Sequence, residues 1–71
     1  MIREVVVLKE PVELYKILKF ENMVCSGGEA KAAIAEGRVL VNGAIETRKR
    51  KKIICGDIVK FGAEEIRIQL K

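Results

Sequence analysis

One stretch, Cys25 to Thr47, "CSGGEAKAAIAEGRVLVNGAIET", constrains the fold more than any other. Ser26 is a helix N-cap and Glu29, three residues on, completes a capping box. The Ala-rich body has high helix propensity, and Ala30, Ala33 and Ile34 fall on one face. Gly37 stands where a left-handed C-terminal cap belongs. Val39 and Val41 then alternate toward Asn42-Gly43, a pair suited to the positive φ angles of a type I′ hairpin turn. A short helix followed at once by a hairpin leaves little choice of architecture.

The flanking segments complete it. Residues 4–8, "EVVVL", read as a short, well-buried strand. Pro11 suits the first turn of a helix over residues 12–20, with Leu14, Ile17 and Leu18 on its apolar stripe and Lys16 and Lys19 off it. Gly56-Asp57 marks a turn before a strand holding Ile58, Val59 and Phe61. Gly62-Ala63 marks another, before "EEIRIQL" with Ile66, Ile68 and Leu70 inward. The order strand, helix, helix, strands gives an α+β fold: two short helices packed on a small, mostly antiparallel sheet, with the first strand paired to the last. At 71 residues, 49% of them apolar, the chain is expected to be a single domain over 1–71.

Several function classes drop out. No stretch reaches the roughly 20 apolar residues of a membrane span, and the apolar run Val5–Leu8 is too short for a signal peptide core. The expected location is the cytoplasm. The chain has no His, so the usual general base and Cys/His metal sites are missing. Cys25 and Cys55 read as small, buried or half-buried apolar residues. Glu64 and Glu65 point to opposite faces of a strand. "SGGE" lacks the spacing of a phosphate-binding loop, and Ser26 is a cap rather than a nucleophile. The expectation is a protein that is not an enzyme, with no metal, no cofactor and no small-molecule substrate.

Charge points to a partner. Residues 31–52 hold Lys31, Arg38, Arg48, Lys49, Arg50, Lys51 and Lys52 against Glu36 and Glu46, a net +5, while the rest of the chain carries −1. A lone charge run is by default a solvated loop. This one is tethered by strands on both sides and concentrates the whole positive excess, which suggests a polyanion. The three aromatics, Tyr15, Phe20 and Phe61, make no platform for stacking single-stranded bases, and the second helix offers few groups to read a DNA major groove. Shape and backbone recognition of structured RNA fits better. At Ser26, Gly27 and Gly28, exposed N–H groups and the helix dipole could hold a phosphate; the alternative there is a plain helix start.

Ser26, Glu29, Ala30, Ile34, Gly37, Val39, Val41, Asn42, Gly43, Gly56, Asp57 and Val59 together resemble the alpha-L RNA-binding motif, the domain named after ribosomal small-subunit protein S-four. The likeness covers about residues 12–61. The short chain resembles the free-standing bacterial, YbcJ-type branch. The resemblance implies RNA binding, of ribosomal or transfer RNA class, across the second helix, hairpin and basic loop, here Lys31, Arg38, Arg48, Lys49 and Arg50 with Lys51 and Lys52 beside them. It departs at Gly27, where many members carry Arg after the Ser. A monomer bound to structured RNA, on or off the ribosome, is the expected state. The competing reading is an adaptor whose basic loop docks an acidic protein.

Overall fold

The computed structural model describes residues 2–9 and 11–70. Its elements are β1 (Ile2–Val7), β2 (Val12–Glu13), α1 (Leu14–Phe20), α2 (Gly27–Ala35), β3 (Val39–Val41), β4 (Ala44–Ile45), β5 (Lys52–Ile53), β6 (Ile58–Phe61) and β7 (Glu64–Leu70). Five strands form one sheet in the order β1-β7-β6-β3-β4, and β2 with β5 forms a second. All pairings are antiparallel except β1 with β7, which is parallel.

The two helices cover one face of the larger sheet. Leu14, Ile17 and Leu18 of α1 and Ala30, Ala33 and Ile34 of α2 are buried against Val39, Val59, Ile66 and Ile68 of the strands. The small side chains of α2 bring it close to α1, as their spacing predicts. No helix is long and apolar enough to cross a membrane among the described residues.

The local signals around α2 are realised. Glu29 N–H donates to Ser26 Oγ at 3.1 Å, and the Glu29 carboxylate accepts from Cys25 N–H at 3.3 Å, one residue before the usual capping-box donor. Gly37 has φ +76. Asn42 and Gly43 have φ 53 and 85, the two positive angles of the hairpin turn.

Four expectations need correction. The first helix starts at Leu14, not Val12: Val12 and Glu13 pair with Ile53 and Lys52, so Pro11 precedes a strand rather than opening a helix. The first strand is not well buried. β1 is an edge strand covered on one face, so Val5 is buried while Val6 and Leu8 are 60% and 80% exposed. Leu70, expected inward, is at the last position of β7 and is exposed. Both cysteines are exposed and neither is in a disulfide: Cys25 lies just ahead of the α2 cap, and Cys55 occupies the turn before β6.

Candidate nucleic-acid interface

The basic run is part of the fold at the level of its backbone. Glu13 adopts an extended conformation before α1 and its side chain caps nothing. The orphan N–H groups of the first helical turn are instead satisfied by the run itself: Leu14 N–H donates to the Lys51 carbonyl at 3.0 Å, and Tyr15 N–H to the Lys49 carbonyl at 3.1 Å. Lys51 N–H donates to the Arg48 carbonyl at 3.1 Å, which closes a turn across the run. The loop is thus pinned to α1 on one side and continues into β5 on the other. A free, solvated loop would show none of these bonds.

Its start is fixed by the hairpin. Glu46 N–H donates to the Val39 carbonyl at 2.9 Å, which sets the origin of the basic run one residue from Arg38. Glu46 then grips Arg48: its Oε2 accepts from Arg48 N–H at 3.0 Å and from Nε at 2.9 Å. These bonds hold the Glu46 carboxyl below the usual carboxylate range, the Arg48 side-chain bond contributing most, and raise the Arg48 guanidinium.

The hairpin itself is locked to the turn before β6. Asn42 Nδ2 donates to Asp57 Oδ1 at 3.0 Å, Ile58 N–H donates to Asn42 Oδ1 at 2.9 Å, and Ile54 N–H donates to Asp57 Oδ2 at 3.0 Å. Asn42 therefore does more than shape a turn. It clasps β3 to the strand that follows the basic loop.

Around this frame the predicted cations divide by partner. Lys31 on α2 places its ammonium 4.8 Å from the centroid of the Tyr15 ring, whose own backbone is bonded to Lys49. Arg38 stands 5.3 Å from the Phe61 ring centroid and 3.5 Å from Glu36. Lys52 reaches Glu13 at 4.0 Å. Lys49, Arg50 and Lys51 have no ion pair among the described residues. Lys31 is thus linked to the loop through Tyr15, and the backbone beside Arg38 through the Val39–Glu46 bond, while the Arg38 guanidinium itself lies over Phe61.

Ser26, Gly27 and Gly28 open α2, with Lys31 about one turn farther along. A Cβ at Gly27 would meet nothing within 4 Å, so packing does not demand glycine there. The Glu29 carboxylate already serves this helix end, which opposes an incoming anion.

Sequence reasoning missed Glu13, Tyr15 and Glu46 as parts of the surface. Only Glu46 gave a signal, as the acidic residue two positions before Arg48. Phe20 is 68% exposed and is the only strongly exposed aromatic, while Tyr15 and Phe61 are half-buried.

Two helices on a mixed sheet, with an Asn-Gly hairpin clasped to a Gly-Asp turn, make up the alpha-L fold, and the chain belongs to the S4-domain family, whose profile matches residues 5–69. It is 51% identical to YbcJ of Escherichia coli (strain K12) over 57 residues, 80% of this chain and 81% of that protein. It is 35% identical over 60 residues to the "Probable ribosome maturation protein RlbA" of Bacillus subtilis (strain 168), covering 80% of this chain and 84% of the other. The solution structure of E. coli YbcJ, described as revealing an alpha-L motif involved in RNA binding, superposes with a TM-score of 0.71 at 45% identity, covering 93% of this chain and 85% of that one.

Proposed function

We propose that the protein binds structured RNA, of ribosomal or transfer RNA class, through the tract of Lys31, Arg38, Arg48, Lys49, Arg50, Lys51 and Lys52. It acts as a monomeric cytoplasmic binding module, with no catalysis and no cofactor. One observation carries the reading. The loop backbone is tied to α1 at the Lys49 and Lys51 carbonyls and closed on itself from Lys51 to Arg48, while the side chains of Lys49, Arg50 and Lys51 have no ion pair among the described residues. With the backbone already fixed, only side-chain freedom is lost on meeting phosphates, and counterion release supplies the driving force.

The scarcity of exposed rings favours folded RNA over single strands. Tyr15 and Phe61 already face cations, which leaves Phe20 alone, whereas single-strand binders stack successive bases. The alpha-L motif of YbcJ and the ribosome-maturation name of RlbA support an RNA partner of ribosomal class. Ser26, Gly27 and Gly28 serve at most as a lesser phosphate contact, because Glu29 shares that helix end.

The test is the triple reversal R48E/K49E/R50E, assayed against a folded RNA hairpin. Binding should fall at least about a hundredfold, given six units of charge change on a phosphate-binding face. Unchanged binding refutes the reading. A cellular complex that survives nuclease treatment and is lost in the triple variant would instead support docking to an acidic protein.

A further inference from the structure

Beside the loop lies an open cleft of about 330 Å³, lined by Lys9, Pro11, Val12, Glu13, Lys16 and Lys52. Its position follows from the second small sheet, since β2 brings Pro11, Val12 and Glu13 alongside Lys52 of β5. Three lysines around a cleft invite a phosphate. The feature that a phosphate site does not explain is Glu13, a carboxylate set among those cations. Its Oε1 is 3.3 Å from Lys16 Nζ, its Oε2 is 4.0 Å from Lys52 Nζ, and its side chain is 17% exposed. A carboxylate accepts at about four lone-pair positions. Lys16 engages Oε1, while the 4.0 Å contact with Lys52 holds Oε2 only loosely, so several of these positions stay open, those of Oε2 above all.

We propose that this cleft takes a guanine nucleotide, presented as an unpaired residue of the bound RNA, with Glu13 reading the base; the proposal rests on the RNA-binding reading above. Guanine is the common base with two adjacent donors, N1–H and the N2 amine, on its Watson–Crick edge, and they match the two oxygens of a carboxylate. Adenine and cytosine set an acceptor beside their amine, and uracil sets acceptors on both sides of its single N–H, so a carboxylate repels all three edges. Pro11 and Val12 supply an apolar wall for the ring, and Lys9, Lys16 and Lys52 supply cations for the adjoining phosphates. Partial burial pushes the Glu13 carboxyl up, but Lys16, Lys52 and Arg50 outweigh it and hold the group ionised. The influence of Arg50 also ties the cleft to the basic loop.

The experiment compares hairpins identical except for one bulged residue, guanosine, inosine or adenosine, with free GMP as a separate titrant, for the wild type and E13Q. The Glu13 side chain caps no helix, so E13Q is expected to fold, and circular dichroism checks that it does. The wild type should prefer the guanosine bulge over adenosine about tenfold, with inosine between. E13Q should lose that preference while keeping its salt dependence. Saturable GMP binding abolished by E13Q, without discrimination among hairpins, also supports guanine recognition and makes the free nucleotide the source. If Glu13 only pairs with lysines, the wild type is blind to both base and GMP, and E13Q tightens all hairpins alike by removing a negative charge. That result overturns the inference and leaves RNA binding standing. Absence of salt-dependent binding to every hairpin overturns both.

Discussion

Asn42 offers the most demanding test of the fold, because its side chain and its backbone are both committed. Replacing it with Ala removes two hydrogen bonds, to Asp57 Oδ1 and from Ile58 N–H. At about 1 kcal/mol net each, they contribute about 2 kcal/mol. The substitution also forces a Cβ without a hydrogen-bonding side chain to hold φ 53, which adds about 1 kcal/mol. N42A should therefore lose about 3 kcal/mol. In a domain of this size that lowers the midpoint by roughly 12 to 24 °C. D57A removes the Asn42 bond and the one from Ile54 N–H, about 2 kcal/mol. The two share one bond, so the double variant should fall short of the sum by about 1 kcal/mol. Urea unfolding of all four proteins measures this, provided each unfolds in two states. A loss under about 1 kcal/mol for N42A, or additivity within about 0.3 kcal/mol, would show that the clasp does not hold the hairpin.

Three further outcomes follow from the surface. E46Q should tighten binding to an RNA hairpin by about threefold or more, because it frees Arg48 and removes a negative charge from the tract; a weaker E46Q complex would mean that Arg48 works only when oriented by Glu46. The folded Glu46 and Glu13 carboxyls titrate below their ordinary value of 4.5. Their contribution is therefore present above about pH 4.5 and lost as pH falls through the lower folded values. Melting temperatures between pH 6 and 3 should drop less steeply for E46Q than for the wild type, and equal slopes would deny the linkage. G37A should cost about 1 kcal/mol, since Gly37 holds φ +76 while a Cβ there would make only an ordinary contact with Ile45; chemical denaturation giving no loss would mean that the helix end relaxes freely.

The sequence made α2 and its hairpin legible because their signals are local. A cap, a reciprocal Glu, a left-handed Gly and an Asn-Gly pair each act within a few residues. The core face was readable for the same reason: Leu14, Ile17, Leu18, Ile66 and Ile68 follow the period of their own element. What stayed hidden depends on contacts distant in sequence. Two-residue strands such as β2 and β5 carry no periodicity, so nothing in "PVE" or "KI" announces their pairing. The bonds from Leu14 and Tyr15 to Lys51 and Lys49 join backbones more than 30 residues apart, which no side-chain pattern records. The edge position of β1 is likewise a property of strand order, and it exposes Val6 despite a Val-rich sequence. Of the basic residues, composition gave the tract but not the division within it. Arg38, Arg48 and Lys52 have acidic partners, while Lys49, Arg50 and Lys51 do not among the described residues.

That division sharpens the central claim, which is that a rigidly framed basic tract binds folded RNA through phosphates. The most direct measurement is the affinity for a folded RNA hairpin across a range of salt, with single-stranded RNA and duplex DNA as competitors. If about four to six side chains engage phosphates, log K should fall with log salt at a slope of very roughly −3 to −5, with folded RNA preferred. Removing Lys49 or Arg50 should reduce the slope by about one unit each. A slope near zero, or equal affinity for all three nucleic acids, would contradict the account and leave the basic loop as a structural brace for α1.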